Sequence, residues 1–198
     1  MPEAKTKCSE CDAEILISTA TRTNGLCMAC KNGIRKSIEA SKKYYEEQRK
    51  PDPFRDYWKE LVLRVHKTSE GFGGLSHQEK IYFAVCILDG EVYNGGFHQF
   101  FFNHSGEYYQ EAFSGLAELG AFYSRELLMS ARLALFPDGN FPRDTETRRA
   151  QLRTSTDESA TDRVLDDLDK KYYDDPDNLG ERLRKYALDN HLVKIEPS

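Results

Sequence analysis

Four of the five cysteines fall in two pairs, Cys8-Ser-Glu-Cys11 and Cys27-Met-Ala-Cys30, with fifteen residues between them. Two CxxC knuckles at this separation match a four-thiolate zinc site, in which the intervening segment folds back to bring the pairs together. Cys8, Cys11, Cys27 and Cys30 are therefore the predicted ligands. The insert is suited to folding back, since Ile15 to Thr19 is β-prone and Asn24-Gly25 supplies a turn before the second knuckle. About thirty residues cannot bury enough apolar surface to fold alone, so zinc would supply the folding energy. With all four positions thiolate, no coordination position stays open for water, and the predicted zinc is structural. Two disulfides would need an oxidising compartment, and a redox CxxC would need a βαβ context that is missing. MPEAKTKCSE lacks the apolar stretch of a secretory signal, and no apolar run approaches the roughly 20 residues that span a bilayer. These features predict a cytoplasmic, membrane-free chain with reduced thiols.

Residues 1–33 thus read as a zinc-ribbon-like module with a short β-hairpin. Residues 34–52 are polar and helix-forming without a wide apolar face, a connecting helix closed by Pro51 and Pro53. From residue 53 to 198 the apolar spacing is helical. Phe54, Trp58, Leu61, Val62 and Val65 form one stripe, broken by the glycines of Gly71 to Gly74. Ser76 and Glu79 make a capping box ahead of Ile81, Ala84, Val85 and Leu88, and Cys86 in this run is a predicted buried thiol. Leu165, Leu168 and Tyr172 form another stripe, and Leu179, Leu183 and Tyr186 one more. With no sustained period-2 alternation and no βαβ pattern, the expected body is all-α, a compact multi-helix domain.

One stretch interrupts that pattern: EVYNGGFHQFFFNH, residues 91–104. Asn94, Gly95 and Gly96 can take left-handed backbone angles that end a helix. Phe97, Phe100 and Phe101 then restart one at i, i+3 and i+4 and face the core. Asn103 and Ser105 are suited to cap the next helix, and Glu91, Asn94, Gln99 and Asn103 to satisfy backbone groups opened by the corner. A catalytic site here would draw on Glu91, His98 and His104. The two histidines are not at metal-ligand spacing, however, and no HExxH, GxSxG or P-loop pattern occurs. The stretch is predicted to be a structural corner, and the protein not to be an enzyme.

Charge is distributed unevenly. Residues 1–50 carry a balance of +3, which leaves −8 for the rest of a chain whose net charge is −5. Nine acidic residues crowd one segment: Asp157, Glu158, Asp162, Asp166, Asp167, Asp169, Asp174, Asp175 and Asp177. Asp162, Asp166 and Asp169 stand at i, i+4 and i+7, one helical face. So acidic a surface repels nucleic acid and attracts basic proteins; a solvated face partly neutralised by Arg163, Lys170 and Lys171 is the plainer alternative.

The run Glu91-x-x-Asn94-Gly95-Gly96-Phe97-x-Gln99-Phe100-Phe101-Phe102-Asn103 resembles the signature of the DNA mimic protein 19 family. The resemblance covers residues 54 to 190 and takes in Phe136 to Gly139 and Leu168 to Tyr173. It implies a helical, often dimeric bacterial protein whose named member sets acidic side chains like DNA phosphates on the DNA-binding surface of a transcription factor. The expected function is therefore a non-catalytic acidic binder, an inhibitor or transcriptional regulator, that sequesters a basic, DNA-binding protein. Rigid carboxylates compete for the same Lys and Arg residues as phosphates do. One alternative is an immunity protein that neutralises a basic toxin such as a nuclease. Another is a nucleic-acid-binding regulator using the zinc module, with Arg22, Lys31, Arg35, Lys36, Lys42 and Lys43 on phosphates.

Overall fold

The computed structural model describes residues 4–139, 141–153 and 158–194. The chain divides into two compact units, Met1–Asp52 and Pro53–Ser198.

In the first unit, β1 (Lys5–Lys7) pairs antiparallel with β2 (Glu14–Leu16), Thr6 opposite Ile15. The strand stops earlier than the β-branched run suggests, because α1 (Ile17–Arg22) takes over from its last residues. The hydroxyls of Thr21 and Thr23 are absorbed within the turn of this helix, donating to the carbonyls of Ile17 and Thr19. Asn24 and Gly25 have φ of 53° and 81° and reverse the chain as expected. The short α2 (Met28–Lys31) and then α3 (Arg35–Gln48) complete the unit's helices.

The second unit is helical throughout its described residues: α4 (Pro53–Lys67), α5 (His77–Phe102), α6 (Tyr109–Glu118), α7 (Phe122–Leu135), α8 (Thr145–Arg153), α9 (Glu158–Tyr173) and α10 (Leu179–Asp189). The all-α body with an N-terminal hairpin is thus the observed class. Ser76 and Glu79 form the anticipated capping box at the start of α5. That helix is the axis of the core. Its Ile81, Phe83, Val85, Leu88, Val92, Phe97, Phe100 and Phe101 are all buried, and α4, α6, α7, α8, α9 and α10 all pack on it. Leu165, Leu168 and Tyr172 of α9 and Leu179 and Leu183 of α10 are buried, as their stripes require, and Cys86 packs against the same core.

The corner within α5 is real, but its two glycines differ. Gly96 sits at φ 74°, where a side chain is strained. Gly95 has φ −168°, an extended value open to any residue, so the expectation of left-handed angles fails there. What Gly95 provides is room, since a Cβ would lie 2.2 Å from Gln99 Oε1. No helix among the described residues is long and apolar enough to cross a membrane.

Candidate metal centre and acidic face

The four predicted cysteines converge. Their sulfurs all lie within 4.8 Å of one another, with Cys8 and Cys27 buried and Cys11 and Cys30 half-buried. Cys11 Sγ and Cys27 Sγ are 3.7 Å apart. Four sulfurs about 2.3 Å from a tetrahedral metal are separated by about 3.8 Å, so the cluster has the dimensions of such a site. All five cysteines are free. The knuckles pre-organise the thiolates: the Cys27 amide donates to Cys8 Sγ at 3.1 Å, and the Cys30 amide donates to Cys27 Sγ at 3.3 Å. Arg35, at the start of α3, donates from Nη2 to Cys27 Sγ at 3.0 Å. The Cys30 amide and Arg35 together push the Cys27 thiol down to about 6. Burial and its sulfur neighbours push Cys30 the other way. The four clustered cysteines can hold a metal ion.

The expectation of Arg35 as a surface phosphate contact is corrected, because its guanidinium is turned onto the cysteines, while Arg22, Lys31, Lys36, Lys42 and Lys43 are exposed. The Arg35 Nε is buried without a partner.

In the second unit, the motif side chains serve each other. Glu91 accepts from Gln99 Nε2 at 2.6 Å, from Asn103 Nδ2 at 3.0 Å and from Ser105 Oγ at 2.8 Å. Ser105 Oγ also reaches the Phe100 carbonyl at 3.3 Å, but neither Asn103 nor Ser105 caps the following helix through its side chain. Asn94 is exposed. The amide freed at the corner, that of Phe97, is taken by Asp169 Oδ1 of α9 at 2.8 Å. Beyond the corner, the fully buried Arg148 donates to the carbonyls of Phe101, Asn103 and Arg143, tying the end of α5 to α8.

Glu91 and His104 border an open cleft of about 700 Å³. His98 does not join them, because its ring stacks on Phe102. His104 Nδ1 is bonded to Thr145 Oγ1 at 3.2 Å, and Glu91 is fully occupied by neutral donors. The three residues of the catalytic alternative therefore form no base–nucleophile pair.

The nine acidic positions separate into groups. Asp162, Asp166, Asp167 and Asp174 are exposed. Asp167 lies 3.8 Å from Lys170. Asp169, Asp175 and Asp177 are half-buried and hold amides, of Phe97, Leu179 and Ser124 respectively, each at 2.7–2.8 Å. Their place on a free acidic surface is thereby corrected: each caps the start of a helical segment. Asp157 lies outside the described residues, and the backbone of Glu158 opens α9. Two residues that periodicity did not single out as surface features stand beside this face. Tyr93 and Tyr173 are 52% and 44% exposed, their ring centroids 5.6 Å apart.

The family model described as DMP19-like protein matches residues 73–191. The chain belongs to the DMP19-like family, which is not a known enzyme family. No curated protein and no solved structure matches it.

Proposed function

We propose that this DMP19-like chain is a non-catalytic acidic binder that occupies the DNA-binding surface of a basic protein, with a structural zinc ion in its N-terminal module. The observation that carries the reading is the face of α9. Asp162 and Asp166 are exposed there, on the same side of the helix as Asp169, whose carboxylate is taken up at the corner by the Phe97 amide. At about 1.5 Å of rise per residue the two exposed charges are about 6 Å apart along the helix. One DNA strand carries a phosphate every ~3.4 Å, so the stripe has somewhat more than half its linear charge density. It is also rigid, because α9 is fastened to α5 through Asp169 and the buried Tyr172. Rigidity lets fixed carboxylates compete without an ordering cost.

Zinc is the metal that the sulfur-only tetrahedral donor set favours. Its ligands leave no open position, so its contribution is folding.

The test is capture from host lysate on the immobilised full chain, beside an Asp162→Lys/Asp166→Lys variant. The captured partner should bind one to one, with an association rate that falls as salt rises and falls again for the variant. It should also release DNA when this protein is added. A partner that holds DNA and this protein together, or that binds the variant undiminished, would overturn the reading.

A further inference from the structure

The acidic stripe of α9 does not end in solvent. Asp162, Asp166, Asp169 and Tyr173 stand at i, i+4, i+7 and i+11, so the face that begins with carboxylates finishes on a tyrosine. Tyr173 lies against Tyr93 of α5, ring planes inclined by 30°, and buried Tyr172 meets Tyr93 edge-on at 6.0 Å. Tyr173 Oη donates to the Val92 carbonyl at 3.0 Å, which fixes its ring. About half of each outer tyrosine nevertheless faces solvent. Burial raises the Tyr93 hydroxyl pKa and the charges of Asp89 and Asp175 raise it further, while Tyr173 responds to burial and to Asp169. The pair is thus an ordered aromatic surface inside a negative field.

We infer that Tyr93 and Tyr173 are the anchor of the binding face, a seat for an arginine of the basic partner at the end of the carboxylate stripe. The inference rests on the function proposed above and specifies which side chain that partner inserts. A planar guanidinium stacks on an aromatic face while keeping its hydrogen bonds for carboxylates; a lysine ammonium, more strongly hydrated, gains less. Buried aromatic anchors beside charged neighbours are where interfaces concentrate binding energy, whereas exposed carboxylates chiefly set encounter rate. The stripe recruits, and the tyrosines retain.

The experiment compares octa-arginine with octa-lysine by calorimetry at low salt on the full zinc-loaded chain. Octa-arginine should bind about three-fold more tightly, the worth of one exposed cation–π contact. Tyr93→Leu keeps apolar bulk on an exposed position and should erase that preference, weakening octa-arginine more than octa-lysine. Tyr173→Leu should do the same, with circular dichroism checking that the loss of its bond to Val92 has not loosened α9. Asp162→Asn/Asp166→Asn should weaken both peptides and keep their ratio. Equal affinity of the two peptides for the wild type, or a preference that survives both leucine variants, would overturn the anchor and leave the acidic binder standing. If neither peptide binds, the acidic binder falls, and the anchor with it.

Discussion

The two units are held together by different forces. Among the described residues of Met1–Asp52, only Cys8, Thr23 and Cys27 are buried. Pro53–Ser198, by contrast, encloses a continuous core in which Phe101, Phe136, Phe141 and Tyr109 pack ring against ring. The first unit has sulfur where the second has carbon. A module without a core has no reserve when its ligands are lost, whereas a core tolerates the loss of any one contact at a cost of a few kcal/mol. The sharpest way to break the comparison is to deny the cysteine cluster a metal ion. Structural zinc contributes on the order of 10 kcal/mol in small modules, so a strong chelator or Cys27→Ser should collapse amide dispersion for residues 5–31. The resonances of residues 73–191 should stay put. Purified protein should carry about one zinc per chain by elemental analysis. Retained dispersion in the metal-free module would mean that the hairpin and α1 fold unaided.

Within the second unit the comparison narrows to adjacent glycines. Gly96→Val places a side chain at φ 74° and within 2.1 Å of Asp169 Oδ2, so strain and loss of the Phe97 cap act together. A cost of about 3 kcal/mol is expected from urea midpoints at constant m-value. Gly95→Ala meets only the Gln99 side chain, which can swing away at the expense of its bond to Glu91; about 1 kcal/mol is expected. Equal costs would show that the corner is held by space alone.

Arg35 sharpens the comparison at the metal end. It touches the Cys27 sulfur, and groups that touch a metal ligand are worth about 10–100-fold in metal affinity. Arg35→Ala should release zinc to a chromophoric chelator more readily by that factor, and shift the thiolate-to-metal band of the cobalt-substituted protein. Arg35→Lys, with a single point donor, should recover only part. Unchanged affinity in the alanine variant would reduce Arg35 to a bystander.

The legibility of the residues divides along the same line. CxxC spacing specifies chemistry locally, so the convergence of all four cysteines is legible in the sequence. Apolar periodicity exposes the helices, and Ser76 with Glu79 exposes a helix start, because each signal lies within a few residues. Asp169 is misplaced by sequence reasoning because its partner, the Phe97 amide, is 72 residues away. Composition makes an acid look like surface, and only tertiary structure shows that it caps a corner. Arg148 escapes for the same reason: nothing near it marks a guanidinium whose acceptors are the carbonyls of Phe101 and Asn103. Tyr93 and Tyr173 belong to different helices and become a pair only when α9 docks. Asp169→Ala should therefore cost about 1–2 kcal/mol, where Asp162→Ala, on the same stripe, should stay within about 0.5. Thermal or urea unfolding distinguishes them, and indistinguishable variants would return Asp169 to the solvated face.

The smallest effect expected is one of sign. Burial pushes the Asp89 carboxyl above the usual carboxylate range, against the Tyr172 hydroxyl that donates to it at 3.1 Å. Glu79 is opposite: despite its own burial, Arg64 and the Ser76 amide hold it below that range. A raised folded-state pKa means that the folded chain keeps the proton longer than the unfolded one. Asp89's contribution is therefore full below its unfolded pKa and declines as pH rises through the folded one. Glu79's contribution is full above its unfolded pKa and is lost as pH falls through the folded one. Asp89→Asn retains an oxygen for Tyr172 and cannot ionise, so it should match wild type in acid and gain slightly on it towards neutrality. Glu79→Gln should match wild type in acid and fall behind towards neutrality. Urea midpoints across the acid range provide the check. If the two difference curves run in the same direction, burial does not dominate at Asp89, and that carboxylate is as well supported as the one in the capping box.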